Sequence, residues 1–274
     1  MKNYVYMIKK ISKWVIVLII TAISVYLLRV LIIDIYIVPS DSMNNAIVSG
    51  DYIVVQKVAP SMSRNDIYVF KSPKNWNVNL VKRCVGLPGD TLEIKNTVIY
   101  INNKPLLENS DIYQVYKSVL TYPDLKKVIP IDMKGYQILS MRDTSQYVLN
   151  DTEVKQVRLT HGNSSIELDN NKRYLTNYGP AVIPYKGMIY YSNNPNPYYS
   201  SAIKQIDAIE LTKGKGSYIF QQDFYFFLGD NRPYSEDSRT WGFVPEQSIV
   251  GRATYIAFSK EKIGINWDRL FNKL

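Results

Sequence analysis

The chain has 274 residues, of which 46% are hydrophobic and 21% charged, and its formal net charge is +9. These values are typical of a folded protein with one large domain or two lobes, and they exclude a disordered chain. The basic charge does not indicate a nucleic-acid partner, because no Lys/Arg block with interleaved aromatic residues occurs. The single cysteine, Cys84, excludes an internal disulfide and a cysteine-based metal site. We expect no metal and no cofactor, and the oligomeric state stays open.

A hydrophobic segment lies near the N-terminus. Residues 14–33 are apolar apart from Thr21, Ser24 and Arg29, and this run matches the roughly 20 residues of a membrane-spanning helix. Lysines precede it, so the positive-inside rule places residues 1–13 in the cytoplasm and the rest of the chain outside. The alternative is a cleavable secretory signal, but the run is long and no Ala-x-Ala-like site follows. We predict an uncleaved single-pass anchor in the cell membrane, with lipid as a partner.

Short apolar or alternating runs bounded by Gly, Pro, Asn and Asp follow the anchor, and they predict strands. The predicted strands are 51–58, 66–71, 80–85, 91–95, 97–101, 224–228 and 251–258. Turn signals at Lys95-Asn96 and Asn102-Asn103 predict one or two hairpins. The predicted fold class is therefore mainly β, with an N-terminal transmembrane helix and a large antiparallel, barrel-like core.

Residues 107–216 are more polar and less clearly patterned than their flanks. We predict that they form an inserted lobe, and that residues 34–106 and 217–274 together form the core. No strong amphipathic helix is predicted in the middle of the chain, and residues 193–199 predict an exposed loop.

The C-terminal residues have apolar side chains at helical spacing. Asn266 is a candidate helix cap. The pattern predicts a short helix that packs on the core or, alternatively, contacts the membrane surface. The apolar positions are Trp267, Leu270, Phe271 and Leu274.

Two local sequences contain a candidate nucleophile and a candidate base. Ser42 lies in Pro39-Ser40-Asp41-Ser42-Met43, shortly after the predicted anchor. Lys82 lies in the mostly apolar run 80–86, before Leu87-Pro88-Gly89-Asp90. Burial of a lysine among apolar residues favours the neutral amine, which can take a proton from a serine hydroxyl. Because His161 is the only histidine in the chain, a serine–histidine mechanism has little support.

A third local sequence, residues 228–239, is rich in charge and is followed by Trp241-Gly242-Phe243-Val244-Pro245. Taken singly, each of the three sequences could be an ordinary turn or a surface ion-pair loop. Together they supply a serine, a lysine with apolar neighbours and a charged bracing loop. These are the parts that a lysine-assisted hydrolase needs.

The three sequences resemble those of type I signal peptidases, which are membrane-anchored serine proteases that remove signal peptides from exported proteins. The resemblance covers about 34–106 and 220–258, with the blocks in the family's order, and claims no match in the inserted lobe. The shared blocks are the anchor, Ser42-Met43, Arg64-Asn65-Asp66-Ile67-Tyr68-Val69-Phe70, Lys82-Arg83 with Gly86-Leu87-Pro88-Gly89-Asp90, and Gly229-Asp230-Asn231-Arg232 with Ser235, Asp237, Ser238 and Arg239.

The resemblance implies a role for each candidate residue. Ser42 would be the nucleophile and Lys82 the general base of a Ser–Lys dyad that works through an acyl-enzyme. Ser235 would orient the lysine amine, and Ser40 with the backbone N–H of Ser42 would form the oxyanion hole. The implied substrates are preproteins with signal peptides. Structural support would come from Arg83, Asp230, Arg232, Asp237 and Arg239.

Two positions depart from the family pattern. The family usually follows Ser-Met with x-Pro-Thr-Leu, whereas this chain has Asn44-Asn45-Ala46-Ile47. Asn65 stands where the family usually has Gly. Both departures concern the backbone course and the substrate subsites rather than a reacting atom.

Other functions stay open from the sequence. One is a different Ser–Lys protease, such as a self-cleaving regulator, although the predicted anchor and the lack of a DNA-binding domain count against it. Another is a non-catalytic tethered β-protein, from which Ser42 or Lys82 would be expected to be missing. The SxxK patterns that begin at Ser201 and Ser259 lack the other motifs of penicillin-binding enzymes, and chance explains them.

Overall fold

A computed structural model describes residues 2–57, 61–108, 112–129, 137–140, 144–169, 177–191, 197–207, 216–260 and 264–274. Within these ranges, strands follow the β-branched and aromatic runs of the sequence. The strands are β1 Ile33–Ile37, β2 Asp51–Gln56, β3 Ile67–Lys71, β4 Asn79–Gly86, β5 Thr91–Lys95, β6 Val98–Ile101, β7 Lys104–Pro105, β8 Gln114–Ser118, β9 Gln137–Ser140, β10 Ser145–Leu149, β11 Ile166–Leu168, β12 Tyr178–Val182, β13 Ile189–Tyr191, β14 Ser217–Ile219, β15 Phe224–Leu228, β16 Val244–Pro245, β17 Ile249–Lys260 and β18 Ile265–Asn266. The helices are α1 Lys2–Leu31, α2 Tyr122–Val128, α3 Asp151–His161, α4 Pro197–Asp207 and α5 Ser238–Trp241.

The main sheet has eight strands, which pair in the order β1-β2-β17-β3-β4-β15-β16, with β18 on the free side of β17. All the pairings along it are antiparallel. Each predicted strand is present, and its ends differ from the prediction by two residues at most. Position 58, the predicted end of β2, lies outside the described residues. The prediction of a mainly β, antiparallel fold is confirmed.

A second sheet, in the order β12-β5-β6-β7, contains the predicted hairpins. Asn96 and Thr97 turn the chain between β5 and β6, and Asn102 and Asn103 turn it between β6 and β7. All four have positive φ, between 49° and 72°. Asn tolerates this left-handed backbone better than most residues, which is why Asn96, Asn102 and Asn103 signalled turns correctly. The first turn is one residue later than the predicted pair Lys95-Asn96, since Lys95 ends β5.

The described residues between 107 and 216 contribute to two hydrophobic cores. The sheet β11-β8-β10-β9 packs with α2 and α3 around Tyr147 and Leu149. The later residues, including Tyr178 and Tyr199, share a different core with Leu92 of β5 and other residues of the flanking segments. The division into core and inserted lobe stays a prediction.

Helices α2, α3 and α4 correct the expectation that the middle of the chain lacks a clear helix. Asn150 caps α3, because its Oδ1 accepts the Glu153 N–H at 2.9 Å and the Glu153 carboxylate accepts the Asn150 N–H. Pro197 begins α4 in the tract predicted as a loop, where residues 193–196 lie outside the described residues. In α4, Tyr199, Ala202 and Ile203 are buried at helical spacing, a pattern that the Asn-Pro tract concealed.

The predicted C-terminal helix is wrong in extent. A single 3₁₀ turn occupies Trp267–Arg269, and Asn266 caps it by accepting the Asp268 N–H at 3.1 Å. The chain then leaves the helical course, since Phe271 has a φ of 56° and Lys273 bridges to β17. Of the apolar residues behind the prediction, Trp267 and Phe271 are 69% and 71% exposed, whereas Leu274 packs against the core.

The C-terminal segment also holds the segment that carries Ser42. Arg269 forms a two-point ion pair with the fully buried Asp51, at 3.0 and 2.6 Å, and donates to the carbonyl of Ala46 at 3.1 Å. Asp51 in turn accepts the Val48 N–H at 2.9 Å. The loop between β1 and β2 is therefore fastened at its far end by a charged network.

Helix α1 includes residues 14–31 of the segment 14–33 predicted as an anchor, and the predicted end is wrong because Ile33 begins β1. The large apolar side chains described between Trp14 and Leu31 are exposed on its surface. Taking only the residues that the structure describes, no helix is long and apolar enough to cross a membrane.

Candidate active site

The structure brings Ser42 and Lys82 into contact across a sequence separation of 40 residues. Ser42 lies in the loop between β1 and β2, and Lys82 lies in the middle of β4. The Lys82 Nζ is 2.5 Å from the Ser42 Oγ, within hydrogen-bonding distance. Such an arrangement allows a proton to pass directly from the hydroxyl to a neutral amine.

Lys82 lies on an apolar face of the sheet. Tyr68 is directly opposite it on β3, and Cys84 follows two residues later on the same face of β4. Phe227 of β15 is opposite Cys84 and its ring contacts that of Tyr68. Lys82 is only 3% exposed, so its side chain is almost fully removed from water.

Burial of Lys82 lowers its pKa from 10.5 to about 8. The carboxylates of Asp237 and Asp230 act in the opposite direction, and the Arg239 guanidinium acts with burial. Desolvation is the largest of these effects, which is the expected behaviour of an amine removed from water. At pH 7 about one lysine in ten at this position would therefore be neutral, compared with a negligible fraction for a free lysine.

The two further candidate serines lie near Ser42. The Ser40 Oγ is 3.4 Å from the Ser42 Oγ. Ser235 lies beside Ser42 and Gly229, and its hydroxyl donates a long bond of 3.4 Å to the carbonyl of Glu236. Among the described residues, no hydrogen bond joins Ser235 to Lys82.

Gly229 makes the close approach of these residues possible. A Cβ built at this position would lie 2.2 Å from the Ser235 Oγ and 2.5 Å from the Ser42 carbonyl oxygen. Its φ is not in the left-handed region, so contact rather than backbone conformation requires glycine here. Gly229 directly follows β15, and its N–H donates to the Asp237 carboxylate at 3.1 Å.

The five charged residues expected to brace the site form ion pairs beside it. Arg83 binds both carboxylate oxygens of Asp230, at 2.8 and 2.5 Å. Arg239 binds both oxygens of Asp237, at 2.8 Å each, and also donates to the Arg232 carbonyl at 2.7 Å. Arg232 pairs with Glu108 and donates to the Gly229 carbonyl at 3.1 Å. Each pair joins one positive and one negative side chain, and together the pairs fix the loop after β15.

The two departures from the family pattern fall where the backbone turns. Asn65 has a φ of 71° and Asn45 a φ of 89°. Asn is among the side chains that adopt this conformation most readily, so it can replace Gly before β3. The Asn65 carbonyl also accepts a hydrogen bond of 2.6 Å from Arg83, which links this turn to the bracing pair.

Cys84 does not compete with Ser42 as a nucleophile. Burial raises the pKa of the Cys84 thiol to about 12, so it stays protonated and unreactive. In the part of the chain that the structure describes, no cluster of His, Cys, Asp or Glu residues could hold a metal ion.

The sequence did not assign roles to three residues that contact the site. Glu108 lies in the weakly patterned stretch, and no local signal identified it as the partner of Arg232. Gly229 and Asn231 both lie inside the Gly-Asp-Asn-Arg block, but a block shows which positions matter without showing what each contacts. Asn231 donates from its backbone N–H to the Ser42 carbonyl at 3.1 Å.

Comparisons with known proteins show the family to which the chain belongs. The family model described as signal peptidase, peptidase S26, matches residues 11–258. The chain belongs to this family. It is a serine peptidase similar to signal peptidase I, and the resemblance of its sequence blocks is confirmed.

The individual relatives are similar over most of their length. A signal peptidase I of Buchnera aphidicola subsp. Schizaphis graminum is 31% identical over 267 residues, which cover 89% of this chain and 73% of the relative. Another, of Buchnera aphidicola subsp. Baizongia pistaciae, is 29% identical over 271 residues, covering 91% and 79%. A solved signal peptidase I of Enterococcus faecalis is 21% identical and covers 71% of this chain and 98% of its own, with a TM-score of 0.30, too low to compare the folds in detail.

We predict that Gly229→Ala lowers kcat for peptide cleavage by roughly 100-fold, because the added methyl group must displace Ser235 or the Ser42 carbonyl, and displacements of about 1 Å can cost this much. The measurement is steady-state kinetics together with thermal unfolding. Gly187→Ala is the control: nothing lies within 4 Å of its added carbon, although its φ of +88° makes some loss of stability expected. Equal activity of the two variants would contradict the prediction.

Proposed function

We propose that this protein removes N-terminal signal peptides from exported preproteins by a Ser–Lys dyad mechanism. The observation that carries the proposal is the 2.5 Å approach of the buried Lys82 Nζ to the Ser42 Oγ. Membership of the signal peptidase family supports the substrate class. The lowered pKa of Lys82 supports its use as a base, because an amine can accept a proton only when it is neutral.

The proposed reaction has two stages. In the first, neutral Lys82 takes the proton of the Ser42 hydroxyl while the Oγ attacks the scissile carbonyl carbon. The new ammonium then gives this proton to the leaving amine, and the acyl group stays on Ser42. In the second stage, Lys82 takes a proton from a water molecule that attacks the acyl ester, and the proton returns to Ser42 as the ester breaks.

The oxyanion that forms in each stage needs hydrogen-bond donors. The backbone N–H of Ser42 and the hydroxyl of Ser40 are the proposed donors, supported by the 3.4 Å separation of the two serine hydroxyls. Loss of one such donor typically costs about 3 kcal/mol of transition-state stabilisation. Ser235, which lies beside Gly229, is the proposed group that orients the Lys82 amine, and this role requires its hydroxyl to turn away from the Glu236 carbonyl.

The charged residues have a structural role in this proposal. Arg83 of β4 pairs with Asp230 and so holds the loop after β15 against the strand of the base, while Arg239 and Asp237 pair within that loop. The Arg239 guanidinium offsets part of the effect of the two aspartates, which raise the pKa of Lys82. A surplus of negative charge would favour the ammonium form and impair the base.

We further propose that α1 anchors the protein in the cell membrane, with the catalytic part outside the cytoplasm. The apolar run 14–33, the lysines before it and the exposure of its described apolar side chains support this. The site would then lie near the membrane surface, where signal peptides leave the bilayer. Substrates would bind extended against a strand edge near Ser42.

The geometry disfavours the non-catalytic alternative, because an inert scaffold has no reason to bury a lysine against a serine hydroxyl. A self-cleaving regulator would use the same dyad and differs in its substrate. The first experiment separates the two by offering the protein a purified preprotein and identifying the cleaved bond by mass spectrometry.

In that experiment we expect Ser42→Ala and Lys82→Met each to lower the cleavage rate by at least about 10³-fold, as removal of a nucleophile or its base does in serine proteases. Ser164→Ala and Lys127→Met change exposed residues of the same types and should keep full activity. Cleavage at the signal-peptide junction by wild type is required. Full activity of either dyad variant, or an inert wild type, would end the proposal.

The pH dependence tests the state of Lys82. We expect kcat/KM to rise about tenfold per pH unit below an apparent pKa near 8 and to level off above it, since the free enzyme must hold a neutral amine. The measurement is the initial rate between pH 6 and pH 10, at a substrate concentration far below KM. A flat profile, or a rise that continues past pH 10, would show that Lys82 is not the base.

The anchor is tested by membrane extraction. We expect the full chain to stay in the membrane pellet after washing at pH 11. Such a wash releases proteins that are bound through surface charge alone, whereas roughly 20 apolar residues keep a helix in the bilayer. A chain that lacks residues 2–33 should be released or soluble and should keep activity on a soluble peptide. Release of the full chain by the same wash would contradict the anchor.

A further inference from the structure

Asn231 makes two hydrogen bonds to the backbone around Ser42. Its backbone N–H donates to the Ser42 carbonyl at 3.1 Å, and its side-chain Nδ2 donates to the Asp41 carbonyl at 3.0 Å. The residue lies directly after Asp230 and is 5% exposed. One buried residue therefore contacts the peptide units on both sides of the candidate nucleophile, the first through its side chain and the second through its backbone.

The bond to the Asp41 carbonyl fixes the direction of the Ser42 N–H. Both groups belong to one planar peptide unit, and in a trans peptide they point in opposite directions. A donor that holds the carbonyl oxygen on one side thus aims the N–H toward the other side. Among the described residues, the Ser42 N–H has no acceptor, so it is free to bind a developing oxyanion.

The orientation of the Asn231 amide follows from its surroundings. A carbonyl oxygen accepts hydrogen bonds, so the group that faces Asp41 must be the Nδ2 donor rather than the Oδ1. The Oδ1 is buried without a hydrogen-bond partner. A buried acceptor left unpaired costs stability, so this amide contributes to the structure through its Nδ2 donor.

Asn231 is itself held from the side opposite Ser42. The Tyr113 N–H donates to the Asp230 carbonyl at 2.9 Å, and the Arg232 N–H donates to the Tyr113 carbonyl at 3.1 Å, so the two segments pair in parallel around Asn231. Glu108 pairs with Arg232 a few residues before Tyr113. The entry into the stretch 107–216 therefore braces the residue that contacts Ser42.

We propose that Asn231 is a positioning residue of the oxyanion hole, which acts by fixing the Asp41–Ser42 peptide unit so that the Ser42 N–H faces the substrate carbonyl. A donor bond to the carbonyl also polarises the peptide unit and makes its N–H a stronger donor. The proposal rests on the proposed function, because it requires Ser42 to be the nucleophile. It gives Asn231 no contact with substrate and no part in proton transfer.

The test compares wild type, Asn231→Ala and Asn231→Asp in peptide cleavage. We expect kcat to fall about tenfold in Asn231→Ala, less than for outright loss of an oxyanion donor, because the Asn44 N–H also donates to the Asp41 carbonyl at 2.9 Å. KM and the apparent pKa of the pH profile should not change in this variant. Asn231→Asp keeps the size of the side chain but places a carboxylate oxygen against the Asp41 carbonyl. The fall in kcat should therefore be at least as large as in Asn231→Ala.

A second measurement separates positioning from general structural damage. A peptide aldehyde bonds through its carbonyl carbon to the Ser42 Oγ, and its oxygen becomes an oxyanion in the same place as that of the intermediate. Asn231→Ala should weaken aldehyde inhibition by the same factor as kcat, while a non-covalent peptide with an amide in place of the aldehyde should bind unchanged. The control is Asn150→Ala, which removes an equally buried asparagine, also 5% exposed, at the cap of α3.

The possible results are distinct. Loss of kcat and aldehyde affinity in Asn231→Ala, with folding stability no lower than in an active Asn150→Ala, supports the proposal. Wild-type kinetics in Asn231→Ala, a rise in KM alone, a shifted pH profile, or equal loss of activity in Asn150→Ala would each overturn it. Ser42→Ala is run beside these variants: if it still cleaves, the proposed function itself fails and this inference fails with it.

Discussion

The burial of one lysine among aromatic residues is the constraint on which the site depends. Lys82 occupies a position on β4 where Tyr68 and Cys84 would otherwise pack against another apolar side chain. A pKa lowered from 10.5 to about 8 means that the folded state disfavours the charged amine. At neutral pH this costs folding on the order of 3 kcal/mol. Other contacts of the sheet must therefore offset this loss of stability. β4 lies well inside the eight-stranded sheet rather than at its edge, so both of its sides are hydrogen-bonded to neighbouring strands.

The ion pairs Arg83–Asp230 and Arg239–Asp237 are consistent with the need to keep Lys82 uncharged. Four of the bracing residues carry charges near a group whose usefulness depends on being uncharged. Had the loop after β15 been fixed by lone carboxylates, these would have drawn the Lys82 pKa back up. Arg83 and Arg239 each pair with one carboxylate, Asp230 and Asp237, at two points. The Arg239 charge offsets part of the effect by which these carboxylates raise the pKa of Lys82.

The sequence predicted the elements whose conformation depends on neighbouring residues. It failed for segments whose conformation is decided by contacts with distant parts of the chain. Strand positions and the Asn turns were right because alternation and left-handed backbone are local properties. The C-terminal segment had helical spacing, but the Arg269–Asp51 pair and the bridge at Lys273 draw it along β17. Helix α4 was missed because its Asn-Pro start resembled a loop while its apolar face serves a core shared with β5. Ser42 and Lys82 were identifiable only jointly, and Glu108 carried no local signal.

The same reasoning explains why the site is assembled from remote segments. The loop before β2 supplies Ser42, β4 supplies Lys82, and the loop after β15 supplies Gly229 and Ser235. Strands β4 and β15 are hydrogen-bonded neighbours, so the sheet itself sets the relation between the second and third segments. The loop that carries Ser42 has no strand pairing to position it. It is held instead by the Asn231 side chain at the Asp41 carbonyl and by Arg269 at the Ala46 carbonyl. Since catalysis is sensitive to small displacements of the reacting atoms, these two contacts on backbone carbonyls are where a change distant from the chemistry should affect the rate most.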